Sequence, residues 1–147
     1  MNNKKELDDF GVRLGRHFDG GETIELVGDV GAGKTTLTKA IASGMGIADD
    51  ISSPSYTLSQ TYESPSGVRL VHYDFYRLSD PGVLANELKE VLKDMKSVVV
   101  IEWAAIVKDV LPDDHLTILI TPVSDMARNL SLRANGPGSL KLLEALT

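Results

Sequence analysis

The sequence predicts an α/β fold: a three-layer sandwich around a mixed, partly antiparallel sheet. Three observations lead there. Helical and strand-like periodicities alternate along the chain; the run Val98-Val99-Val100-Ile101 is β-branched throughout; and a glycine-rich segment lies between a strand-like and a helical stretch. Four consecutive β-branched residues suit a strand covered on both faces, in the middle of a sheet flanked by helices.

The elements follow in order. Leu7, Phe10, Leu14 and Phe18 recur at helical spacing, and Gly20-Gly21 stops the run, which predicts an amphipathic helix over residues 4–18. Residues 23–27 read as a strand. Leu37, Ala40, Ile41 and Met45 mark one face of a second helix, closed by Gly44 and Gly46. The β-rich runs 56–62 and 68–73 flank Ser64-Pro65-Ser66-Gly67, a hairpin signal. Asp80 and Pro81 form an N-cap and first-turn pair for a third helix, carried to about residue 95 by Leu84, Leu88, Val91, Leu92 and Met95. After the buried strand come a second hairpin, 115–121 with 128–134, and a short closing helix over 139–146.

Composition narrows the class. At 147 residues, with 42% hydrophobic content and neither repeats nor linkers, the chain suits one domain, residues 1–147. The absence of Cys excludes disulfides, thiolate zinc sites and cysteine nucleophiles. Without an 18-residue apolar span or a signal-like apolar region, the expected location is cytoplasmic, with no membrane partner. A net charge of −6 argues against strong direct binding of nucleic acid, whose affinity rests on Lys and Arg.

The chemistry centres on Gly28-Asp29-Val30-Gly31-Ala32-Gly33-Lys34-Thr35, which fits the P-loop pattern G-x-x-x-x-G-K-[ST] at every position. Small residues let backbone N–H groups turn inward around a phosphate, and the helix that follows adds its positive N-terminus. Lys34 is placed to reach β- and γ-phosphates, and the Thr35 hydroxyl to ligate Mg²⁺. A P-loop protein needs an acid near that metal at the end of a neighbouring apolar strand, and Glu102 ends the run 98–101. Trp103 reads as a core anchor rather than a nucleotide contact. His72 and Asp74 share one side of a strand; Asp74 suits either a Mg²⁺-bound or attacking water, or a cap or ion pair with Arg77. The loop Ser52 to Thr57 stands where nucleotide-sensing segments lie in P-loop proteins, so that Thr57 is a candidate sensor of the γ-phosphate. His17 and His115 have no partners at ligand spacing, and no zinc or Ser-His-Asp pattern is present.

Four segments in order resemble the TsaE (YjeE) family: the P-loop through Thr36, Ser53-Pro54-Ser55-Tyr56-Thr57-Leu58, His72-Tyr73-Asp74-Phe75-Tyr76-Arg77-Leu78, and Ile101-Glu102-Trp103. Leu111-Pro112-Asp113 and Arg128 add weaker matches. The resemblance implies a P-loop ATPase needed for threonylcarbamoyladenosine modification of tRNA, acting with the TsaD and TsaB proteins. It also implies ATP and Mg²⁺ as cofactors, nucleotide contacts from Asp29, Val30, Gly31, Ala32, Gly33, Lys34, Thr35, Thr36 and Thr57, and a metal held by Thr35 and Glu102. Lys34, Asp74 and Glu102 become the catalytic candidates. Two departures from the family pattern stand out: Ala104-Ala105 follows the Glu-Trp pair where Pro and then Glu or Gln are frequent, and Leu7 stands where the first helix often carries a Thr near the nucleotide.

The expected activity is slow Mg²⁺-dependent ATP hydrolysis, with Arg77 and Arg128 as candidate charge-stabilising arginines and a partner-supplied group as the alternative. Two other functions fit a P-loop: a small-molecule or nucleotide kinase, disfavoured by the short chain and the lack of an Arg-rich lid, and a nucleotide-controlled binding module with negligible turnover. No N-K-x-D segment supports GTP.

Overall fold

A computed structural model describes residues 4–29, 33–48, 59–75, 82–124 and 127–146. Its elements run α1 (Lys4–Arg16), β1 (Thr23–Val27), α2 (Lys34–Gly44), β2 (Ser59–Glu63), β3 (Arg69–Asp74), α3 (Val83–Leu92), β4 (Ser97–Glu102), a 3-10 turn (Ala104–Val107), β5 (Leu116–Pro122), β6 (Arg128–Ala134) and α4 (Pro137–Leu146). The six strands form one sheet in the order β2-β3-β4-β1-β5-β6. β3, β4, β1 and β5 are mutually parallel, and β2 and β6 close the two edges antiparallel, as hairpin partners of β3 and β5.

The strand period of two sorts the core onto two faces. Leu70, Val98, Val100, Ile24, Leu26, Ile118 and Ile120 point to the side of α1, α2 and α4. Val71, Tyr73, Val99 and Ile101 point to the side of Leu88 on α3 and of Ala104 and Val107 in the 3-10 turn. β4 is buried at every residue, as a strand covered on both faces must be. Burying each large aliphatic side chain contributes about 1.5–3 kcal/mol, so these central strands dominate the stability of the sheet.

α1 lies against α2 closely enough that side chains would clash. A Cβ at Gly15 would sit 2.2 Å from the Ile41 carbonyl oxygen, and one at Gly44 would sit 2.1 Å from that of Val12. Glycine in a helix interior costs about 1 kcal/mol against alanine; here it permits the contact that seats the P-loop helix.

Several boundaries differ from the sequence expectation. α3 ends at Leu92 rather than near 95, and Met95 is exposed instead of facing the core. The reason is Asp94, whose carboxylate accepts from the Lys96 N–H at 3.0 Å and the Ser97 hydroxyl at 2.9 Å, so the chain turns directly into β4. α1 ends at Arg16, yet Phe18 beyond it is still buried through the turn. α4 begins two residues early, at Pro137, because Asp114 caps it from another part of the chain: the carboxylate accepts from the N–H groups of Gly138 at 2.8 Å and Ser139 at 2.9 Å. The 3-10 turn was not signalled by periodicity. The Asp80-Pro81 start of α3 and the first three residues of the 56–62 run lie outside the described residues.

Candidate functional site

The site forms at the carboxyl edge of the sheet, where β1 ends and α2 begins. Gly33 precedes α2 with φ 115°, a left-handed conformation that only glycine adopts without strain. Lys34 follows as the first residue of the helix, and its side chain folds back to donate from Nζ to the Gly28 carbonyl at 2.7 Å. The two ends of the loop are thereby tied together. Leu7 of α1 stands beside the same turn, its Cδ2 3.4 Å from where a Cβ at Gly33 would lie.

β4 brings the acid. Its last residue, Glu102, pairs in register with Leu26 of β1 on one side and Asp74 of β3 on the other. Glu102 is 2% exposed and its Oε1 lies 3.9 Å from Lys34 Nζ. That separation is an ion pair without a hydrogen bond, since N–H···O bonds run from about 2.7 to 3.2 Å. Trp103 comes next with φ 58°, the one positive φ outside glycine among the described residues. A left-handed residue of this size costs about 1–2 kcal/mol, and the turn it makes puts the indole ring 4.0 Å below the Lys34 ammonium. The sequence reading of Trp103 as a core anchor is half the account: it packs against the α3-side core and also carries a cation-π contact.

His72, on β3 and fully buried, completes the group. Its Nε2 lies 2.5 Å from Glu102 Oε2, while Nδ1 has no hydrogen-bond partner. Sequence reasoning put His72 beside Asp74 and assigned it no role; the signal was the period-two His-x-Asp pattern, which becomes informative only when β3 is known to pair with β4.

The remaining candidates fall as follows. Asp74 is half-buried at the end of β3, level with Glu102 and on the His72 side of the strand. Thr35 and Thr36 are half-buried in the first turn of α2, and Asp29 is exposed just past β1. Asp29, Gly28, Trp103, Ala105, Leu119 and Thr121 line part of an adjoining cleft of about 350 Å³. Val30, Gly31, Ala32, Thr57 and Arg77 lie outside the described residues. Arg128 starts β6 at the same edge of the sheet, two strands from β1, and its Nη1 donates to the carbonyls of Ser124 at 2.9 Å and Ala127 at 3.0 Å. His17 is exposed. His115 is half-buried, with Nδ1 2.9 Å from the Pro112 carbonyl and Nε2 3.3 Å from Glu25 Oε1.

Among the described residues no cluster of three or more His, Cys, Asp or Glu is arranged to hold a metal on its own. A Mg²⁺ site beside a nucleotide requires less: one or two carboxylates complete a shell that phosphates and water mostly supply. Among the described residues, too, no helix is long and apolar enough to cross a membrane.

A parallel-centred sheet between helical layers, with a glycine-rich loop joining β1 to a helix that opens on lysine, defines a three-layer α/β protein of the P-loop type. Residues 1–130 match the family described as threonylcarbamoyl adenosine biosynthesis protein TsaE. The chain is 35% identical over 127 residues to the tRNA threonylcarbamoyladenosine biosynthesis protein TsaE of Bacillus subtilis, covering 86% of this chain and 78% of that one. The protein of the same description from Haemophilus influenzae is also 35% identical, covering 84% and 77%. A crystal structure of Bacillus subtilis YdiB superposes with a TM-score of 0.82 at 28% identity, over 99% of this chain and 90% of that one. The chain belongs to the TsaE family of threonylcarbamoyl adenosine biosynthesis proteins.

Proposed function

We propose that this protein is a Mg²⁺-dependent ATPase serving threonylcarbamoyladenosine modification of tRNA, in company with TsaD and TsaB partners. The observation that carries the reading is the convergence of Lys34 and Glu102 on the Gly28 end of the loop, both almost fully buried and only loosely paired. Oxygen donors at Thr35, Glu102 and Asp74 suit a hard cation such as Mg²⁺. When bound, that ion would neutralise the charge developing on the transferred phosphoryl group.

The chain's own residues do the positioning. Lys34 leaves the Gly28 carbonyl and the indole face to meet a phosphate, a stronger partner for an ammonium than a neutral carbonyl. Glu102 is then relieved of its cation and its Oε1 is available to the metal shell. Asp74, level with Glu102 on the neighbouring strand, would orient a water. Arg128 is occupied by local carbonyls, so a charge-stabilising group from a partner is consistent with slow turnover by the isolated chain.

Hydrolysis of ATP measured with and without Mg²⁺, and with and without the TsaD-TsaB complex, tests the reading. Metal-dependent phosphate release that rises with the partners is expected; a phosphorylated nucleoside product instead would mark a kinase, and binding with no turnover in either state would mark a switch. The isolated protein should bind tRNA weakly, because its net charge of −6 opposes a phosphate backbone. Saturable submicromolar binding of labelled tRNA by the protein alone, at about 0.15 M salt, would move the nucleic-acid contact onto this chain.

A further inference from the structure

We propose that His72 is a positioning residue that fixes the carboxylate of Glu102 so that a single oxygen, Oε1, faces the loop and the metal shell. The inference rests on the reading of Glu102 as the magnesium acid.

The geometry is specific. β3 and β4 run parallel, and His72 pairs in register with Val100, one strand repeat before Asp74 meets Glu102. The imidazole therefore approaches Glu102 from the sheet's interior, with Nε2 2.5 Å from Oε2, and leaves Oε1 as the oxygen 3.9 Å from Lys34. A carboxylate held at one oxygen by a rigid ring on a central strand cannot rotate away when Lys34 moves to a phosphate.

The orphan nitrogen supports the assignment. His72 Nδ1 is the buried side-chain polar atom left without a partner among the described residues. A ring protonated at Nε2 alone leaves a bare acceptor at Nδ1, which is less costly to bury than an unpaired N–H donor. A leucine would fill this space beside Leu70 and Val100 without that cost, so what the histidine adds is the Nε2 donor. Residues that hold a metal-ligating carboxylate typically change metal affinity about 10- to 100-fold when lost.

Mn²⁺ titrated into the protein with saturating ADP, with free Mn²⁺ followed by electron paramagnetic resonance, reads the metal shell apart from turnover. His72→Leu should weaken Mn²⁺ binding by about 10- to 100-fold while ADP affinity without metal stays at the wild-type value. His72→Gln, whose amide nitrogen reaches about as far as Nε2, should recover most of the loss, and His72→Asn, whose amide falls short, should not. In the metal-free protein, ¹⁵N-histidine spectra should show His72 protonated at Nε2. Unchanged Mn²⁺ binding in folded His72→Leu, equal binding by the Gln and Asn variants, or a ring with no proton at Nε2 would each overturn the proposal. If His72→Leu does not fold, the Gln and Asn pair decides. Glu102→Gln separates the two levels: if it leaves Mn²⁺ affinity unchanged, the magnesium reading of Glu102 falls; if it weakens binding while the His72 variants do not, only the role of His72 falls.

Discussion

The two edges of the parallel sheet handle polar groups in opposite ways. At the amino edge three carboxylates are held by donors. Asp94 takes hydrogen bonds from Lys96 N–H, the Ser97 hydroxyl and Arg69; Asp114 takes two from the first turn of α4; Glu22 takes two from the turn before β1. At the carboxyl edge Lys34 sits 3.9 Å from its carboxylate, His72 has an orphan nitrogen, and Trp103 holds a left-handed backbone. Satisfied groups have nothing left to offer a ligand. Loosely paired, buried and strained ones do, and their cost is met by the apolar core between the edges.

Substitutions at the carboxyl edge should therefore change chemistry, and those at the amino edge should change stability. The largest effect is expected from Lys34→Ala, which should abolish tight ATP binding because Lys34 is the cation the loop's own pattern aims at the β- and γ-phosphates. Calorimetric titration of a folded variant showing near-normal affinity would remove the P-loop assignment and with it one side of the contrast.

Glu102→Gln should come next, losing Mg²⁺-dependent hydrolysis while keeping the fold and some nucleotide affinity. Gln still accepts from His72, but it leaves the buried Lys34 ammonium without its counter-charge, so Tm of the nucleotide-free variant should fall and bound nucleotide should restore it. Wild-type hydrolysis by this variant would shift the metal site to Asp74; a loss of Tm that saturating nucleotide does not restore would show that Glu102 serves the fold more than the site.

The smallest effect belongs to Asp114→Ala. Losing the cap should cost about 1 kcal/mol of stability and leave ATP binding unchanged. The Ser139 and Gly138 N–H groups of α4 hold the Asp114 carboxyl below the ordinary carboxylate range, and the Lys96 N–H, with the Ser97 hydroxyl, does the same for Asp94. A carboxyl with a depressed folded-state pKa contributes stability above its unfolded value, near 3.9, and loses it as pH falls through the folded value. Tm should thus fall with acidification below about pH 4, less steeply in Asp114→Ala. Parallel acid profiles for wild type and variant, measured by circular dichroism, would show that the cap is not an electrostatic one.

Much of this was legible before the fold was known, because it is written in local patterns. The spacing of Leu7, Phe10 and Leu14 foretells α1, and the alternation of β-rich runs and turns foretells both hairpins. The loop from Gly28 to Thr35 marks the junction of a strand and a helix through its glycines and its Lys-Thr ending, and Val98 to Ile101 announces a strand covered on both faces. These signals depend on periodicity and backbone sterics within a few residues. What only the tertiary structure decided are the meetings of distant segments. The insertion of β4 between β3 and β1 places Glu102 against His72, 30 residues away, and beside Lys34. The cap of α4 comes from Asp114, 24 residues before Gly138. The glycines of α1 and α2 reveal their purpose only when the two helices touch. No local pattern carries strand order, because parallel pairing links residues whose separation the intervening helix is free to set.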